Sequence, residues 1–164
     1  MRKIKKQKGF TLIEILVVIG IIAILAAVVL VAINPARQFA QARNSQRTSN
    51  VNSILNAIGQ NIADNKGIFT CTAPGAVIDD TIRYIAYTAA AATGLTDLRP
   101  CLVTTYLPEI PYDPSLPGAH FISPTDYNTG YTVTKDAVSQ RIKVCAPGGA
   151  EPAIAGSAEI CVTR

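Results

Sequence analysis

The chain has 164 residues, 49% of them hydrophobic, and carries 15 Lys and Arg against 11 Asp and Glu. Its net charge of +4 would suit a polyanion, yet five of the basic residues (Arg2, Lys3, Lys5, Lys6 and Lys8) fall within the first eight positions. From Phe10 onward ten basic residues face eleven acidic ones, which argues against nucleic acid as a direct ligand.

The basic start leads into Gly9-Phe10-Thr11-Leu12-Ile13-Glu14, and from Ile15 to Ile33 nineteen residues pass without a charge. At about 1.5 Å per residue a helix of that length spans about 28 Å, close to a bilayer core. An ordinary secretory signal places its small-residue cleavage site after the apolar run. Here Gly9 precedes it, so a cut after Gly9 removes the basic leader and keeps the apolar segment. The positive leader is expected to stay cytoplasmic and the rest to cross. Glu14 is costly at membrane depth and is a functional-site candidate by default.

This arrangement, from Met1 to about Ile33, closely resembles the prepilin leader of type IV pilins and of the pseudopilins of type II secretion. The resemblance implies a membrane prepilin peptidase that cuts after Gly9 and methylates the new amine of Phe10. It also implies that this amine meets Glu14 of a neighbouring copy during filament assembly. A membrane assembly platform and its ATPase would act as further partners, with inner-membrane lipid around the subunit beforehand. An uncleaved signal anchor is the plain alternative, but a buried Glu14 has no use in one.

One long helix is expected from Phe10 to about Asn65-Lys66-Gly67, with Gly67 as a left-handed cap. Its first half is apolar all round and its second half amphipathic. Ala36, Phe39, Ala40, Val51, Ile54, Leu55, Ile58 and Ile62 recur at three- and four-residue steps. Asn34-Pro35 should kink or unwind it; many pilins carry a proline four residues earlier, where this chain has Val31. Arg37, Arg43 and Arg47 are the only charges between Ile15 and Ala63. They read either as solvated residues or as contacts from this stem to the head of another copy.

Beyond Gly67, Pro and Gly are dense and the chain should break into short elements. Ile78, Ile82 and Ile85 favour a helix within Val77–Ala92, and Asp97–Tyr106 reads as a short helix. Tyr131–Thr134, Arg141–Val144 and Glu159–Val162 read as strands. The expected fold is α+β: a long N-terminal helix, transmembrane in its first half, packed on a small antiparallel sheet of three or four strands. The divisions are a leader at 1–9, a membrane and assembly helix at 10–34, its amphipathic half at 35–66 and a globular head at 67–164. Ile110-Pro111-Tyr112-Asp113-Pro114 resembles the proline-aspartate turn of major pseudopilins.

Cys71, Cys101, Cys145 and Cys161 lie in the head, and an even count outside the cytoplasm favours disulfides over buried thiols. Three pairings are open. Cys145–Cys161, across a Pro/Gly-rich loop, with Cys71–Cys101 is the favoured one. The cysteine spacings match no zinc signature and His120 stands alone, so no enzyme and no cofactor is expected. For calcium, which related major pseudopilins can hold, Asp126, Asn128 and Asp136 offer oxygens without loop spacing. Tyr106, Tyr112, Tyr127 and Tyr131 could form an outward stacking surface or belong to the core. The expected function is a structural subunit of a type IV pilus, a helical homopolymer. The alternatives are a pseudopilin of a type II secretion or competence (DNA-uptake) system and a membrane-anchored binding protein.

Overall fold

The computed structural model describes residues 9–32, 34–88 and 93–164. The leader at Met1–Lys8 and the Ala89–Ala92 part of the expected 77–92 helix lie outside the described residues. The chain divides into two compact units, Met1–Ala36 and Arg37–Arg164.

The long helix, expected to kink or unwind at Asn34-Pro35, is two helices there, α1 (Leu12–Ala32) and α2 (Pro35–Asp64). Asn34 belongs to neither. Pro35 opens α2, a first-turn position where its missing N–H costs nothing. In α1, Leu12–Leu30 is long and apolar enough to cross a membrane, with mean hydropathy 3.2. Its side chains are exposed on every face. A helix with no polar face needs an apolar environment on all sides, either lipid or other helices.

In the second unit, α2 buries Ala40, Arg47, Val51, Ile54, Leu55, Ala57, Ile58 and Asn61. The steps between Ala40, Arg47, Val51, Ile54, Ile58 and Asn61 keep one face turned inward. Phe39, expected on that stripe, is exposed instead. Helix α2 ends at Asp64, and Gly67 follows with φ +90°, its N–H on the Ile62 carbonyl at 2.8 Å. That left-handed residue caps the orphaned carbonyls of the last turn.

Six strands form one sheet among the described residues: β1 (Arg83–Tyr87), β2 (Leu95–Thr96), β3 (His120–Ser123), β4 (Asp126–Lys135), β5 (Ile142–Ala146) and β6 (Ile160–Thr163). The order is β2-β1-β4-β5-β6, with β3 also on β4. Strands β1 and β2 run parallel and the other pairs antiparallel, so the sheet is larger than expected and mixed. The helix favoured from Ile78, Ile82 and Ile85 gives way to β1. There Ile85 and Ala86 are buried between partly exposed neighbours, and pairing with β4 overrides the three-residue spacing. The helix expected over Asp97–Tyr106 shrinks to α3 (Arg99–Leu102). Val51, Ile54, Leu55 and Ile58 of α2 pack in one core with Ile85, Tyr131, Val133 and Val144 of the sheet and with Leu98, Leu102 and Ile110. A helix and a sheet each bury their apolar side on the other, giving an α+β head of pilin-like type.

Two disulfides brace the edges of this layer. Cys71 bonds Cys101 and ties the loop after α2 to α3; Cys145 bonds Cys161, its register partner across β5 and β6. The chain-entropy model assigns on the order of 3 kcal/mol to closing a loop of the Cys145–Cys161 size. A second brace is polar: the buried Asn61 amide donates to the Thr70 carbonyl at 3.1 Å and accepts from the Thr70 N–H at 3.0 Å. Asn61→Ala would orphan both groups of Thr70 and should destabilise the head by about 1–3 kcal/mol. Equilibrium unfolding checks this; an unchanged midpoint would mean water replaces the amide.

Candidate functional site: the N-terminal motif and the stem–head clip

Gly9 and Phe10 are exposed ahead of α1, and a Cβ placed on Gly9 would meet nothing within 4 Å. The fold therefore makes no demand for glycine there, and any demand comes from a molecule acting on the chain. Thr11 and Glu14 form a closed unit. The Glu14 Oε2 accepts from the Thr11 N–H at 2.7 Å and from its Oγ at 2.7 Å. The Glu14 N–H donates back to the Thr11 Oγ at 3.3 Å. Thr11-x-x-Glu14 is thus a reciprocal capping box that satisfies the first orphan donors of α1. The signature was present in the sequence and is a role of Glu14 that a reading centred on assembly passes over. Its bonds involve Thr11 and Glu14 alone, so a cut after Gly9 would leave them in place.

The second cluster lies in the head. Arg47, 1% exposed, is held by two carboxylates. Its Nε and Nη2 grip Asp113 at 2.7 and 2.9 Å, and its Nη1 reaches Glu151 at 2.5 Å. Nη1 also donates to the Asn44 Oδ1 at 2.8 Å and Nη2 to the Ser115 Oγ at 2.7 Å. Arg43, one turn earlier, takes the other side of Glu151 in a bidentate pair at 2.7 and 2.6 Å. Asp113 is completed by the N–H groups of Ser115 and Leu116. These contacts clip α2 to the Pro111–Pro117 turn and to the loop after β5. Gly148 makes room for them: a Cβ there would stand 2.6 Å from the Asp113 Oδ2 and 3.0 Å from the Arg47 Nη2. Of the three stem arginines, Arg43 and Arg47 are therefore consumed inside their own chain, while Arg37 is exposed.

The electrostatics follow from the pairing. The bidentate bonds of Arg43, then those of Arg47, outweigh burial and pull the Glu151 carboxyl down to about 2. Burial alone would raise the Asp113 carboxyl, but Arg47 and the two backbone amides hold it below the ordinary range. Elsewhere the Tyr127 hydroxyl, buried and donating to Asp97 at 2.7 Å, is pushed far up. Burial raises the Asp97 carboxyl despite that bond.

Other sequence candidates do not converge. Asp126 and Asp136 lie at opposite ends of β4, and the Asn128 Oδ1 accepts from the Gly130 N–H, so the three oxygens proposed for calcium form no common site. His120 sits on the Gly118 carbonyl at 2.7 Å and 3.3 Å from Asp126, contacts that raise its pKa at a half-buried position. Of the four tyrosines named for a stacking surface, Tyr127 and Tyr131 are in the core, Tyr106 is half-buried and only Tyr112 is exposed, which breaks that surface up.

Comparison with known proteins adds one finding. A family described as "Prokaryotic N-terminal methylation motif" matches residues 4–30. No curated protein and no solved structure gives a significant match. The chain therefore carries a type IV pilin-like prepilin motif. The motif marks pilin-type structural subunits, implies processing by a prepilin peptidase, and with α1 fits an inner-membrane anchor.

The clip generates two predictions. Arg47→Ala leaves Asp113 and Glu151 buried without their shared cation and should cost about 3–5 kcal/mol; a smaller loss in chemical unfolding would mean the carboxylates find other donors. Both acids have folded pKa values below their unfolded ones, so their stabilisation is complete above about pH 4.5 and drains away as pH falls towards 2. Glu151→Gln should flatten the acid limb of the stability curve while lowering stability at neutral pH. An acid limb unchanged from wild type would remove Glu151 as its source.

Proposed function

We propose that this chain is a structural subunit of a type IV pilus, cut after Gly9, methylated on the Phe10 amine and assembled through α1 into an extracellular filament. The observation that carries the reading is an otherwise uncharged helix whose single acid, Glu14, stands five residues after Gly9, inside the stretch that the N-terminal methylation motif matches. Before assembly the helix is at home in lipid. In a fibre the same surfaces meet other copies of α1, so the transfer exchanges one apolar environment for another and is nearly neutral in burial. Direction and register must then come from polar groups, and an unpaired charge in a dry bundle is strongly penalised. The amine of Phe10 on one copy and Glu14 on the next form the pair that removes the penalty.

A pseudopilin of a type II secretion or competence system uses the same N-terminus, and the proline-aspartate turn at Pro111–Pro114 favours it. The two disulfides and the clip favour a displayed subunit, because they stiffen the head from within. Shearing of cells separates these readings: a pilin leaves with long fibres and a pseudopilin stays in the envelope.

Mass spectrometry of the protein from its host should show a chain beginning at Phe10 with one added methyl group. Glu14→Ala should be processed in the same way and yet give no fibres. A mature chain beginning at Met1, or normal fibres from Glu14→Ala, would overturn the proposal.

A further inference from the structure

The head has two dissimilar poles, joined by β4, whose ten residues separate them by about 30 Å. One pole is the β3–β4 hairpin tip. Ile122 is 72% exposed there and Phe121 39%, with Asp126 beside them. Glu109, nearby through Arg99 over the Phe121 ring, is already occupied by that arginine in a bidentate pair. Among the described residues Asp126 faces the ring of His120 at 3.3 Å and pairs with no Lys or Arg.

At the other pole lies an open groove of about 1160 Å³, between the last turns of α2, the loop after it and the β4–β5 turn. Ile62, Ile68, Phe69, Val77, Ile78 and Ile142 line it, and Lys135, Arg141 and Arg164 edge it, with no carboxylate in the lining. Neither Lys135 nor Arg141 makes an ion pair among the described residues. Arg164 reaches only the amides of Asn56 and Asn52. Asp136, next to Lys135, accepts from the N–H groups of Val138 and Ser139, forms an ion pair with neither cation among the described residues, and fixes the turn that presents Arg141.

An apolar tip beside one carboxylate and an apolar groove edged by cations are complementary in both chemistry and charge. They sit on different surfaces of the same head, so a contact between them is head-to-tail; repeated without rotational closure, it propagates a fibre. We propose that the hairpin tip carrying Phe121, Ile122 and Asp126 of one copy docks into the groove edged by Lys135 and Arg141 of the next. This rests on the filament reading and supplies it with a specific contact between heads. It also gives the exposed Ile122 and the uncovered groove a partner.

Charge exchange in the full chain, expressed in its host, tests the docking. Asp126→Lys should cut the sheared-fibre yield about tenfold, and Lys135→Glu with Arg141→Glu should do the same, while the combination restores most of it. The mass of the processed chain and the absence of free thiols confirm that each variant is mature and folded. Unchanged yields, or a combination no better than either half, would overturn the inference. A benzoylphenylalanine photo-crosslinker in place of Ile122, read in both membrane and fibre fractions, keeps the two proposals apart. Its label should fall on the Gly67–Arg83 peptide of a second copy. A label on lipid, on another protein or on another part of the copy refutes the docking alone, even where fibres form. Absence of fibres from the processed wild-type chain refutes the filament reading instead.

Discussion

The head depends on one guanidinium. Helix α2 does not have enough apolar surface to fix its own position: over its first four turns the only fully covered residues are Ala40 and Arg47. What holds that half of the helix is Arg47 between Asp113 and Glu151, with Arg43 closing the far side of Glu151. Such a cluster is a poor source of net stability, because desolvating three charges offsets much of their attraction. It is a strong source of register. A slide of α2 by one turn, or a different path for the Pro111–Pro117 turn, would leave a buried charge without its partner. The proline-aspartate turn and Gly148 then make sense as one device: the turn delivers Asp113 and the glycine lets the backbone approach it.

How much of this could be read from the sequence depended on the reach of each interaction. The N-terminal motif, the apolar run and Glu14 are local patterns, and they were legible. The capping box was equally local, four residues in Thr11-x-x-Glu14, and escaped only because the acid already had a role. Strand β1 was misread because Ile78, Ile82 and Ile85 stand at helical spacing; the deciding fact, pairing with β4, lies more than forty residues away. The partners of Arg47 are 66 and 104 residues distant, and no spacing rule reaches that far. There was a signal all the same. Arg47 falls on the stripe of Ala40, Val51, Ile54 and Ile58, and an arginine on the inward face of a helix requires an acid to meet it. Treating it as a surface charge ignored its position in the stripe.

The two units solve the problem of burial in opposite ways. The head assembles a core from short strands, one helical face and two disulfides, and each buried polar side chain has its partner among the described residues. Among the described residues the first unit buries nothing of its own. Helix α1 presents apolar side chains in every direction, so it has no preferred face and no intrinsic preference between lipid and a bundle of its own kind. A subunit built this way can be moved between the two at little cost, and whatever order the assembly has must be written elsewhere: in the heads, and in the one acid of the helix.

Glu14 can serve both states because its carboxylate is only half used. Both Thr11 contacts fall on Oε2, and a carboxylate has room for about four hydrogen bonds. In the separate subunit the capping box satisfies the first donors of α1 and keeps the acid from standing unbonded at membrane depth. In the filament proposed above, Oε1 would be open to the amine of a neighbouring Phe10 while Oε2 keeps its cap. The acid therefore does not need to break a bond at home to form one abroad. Under that proposal the helix start would stay intact through the transfer, and the incoming amine would add a charge partner that Thr11 cannot supply. A glutamate three residues after a threonine, at the mouth of an uncharged helix, meets both requirements with one side chain.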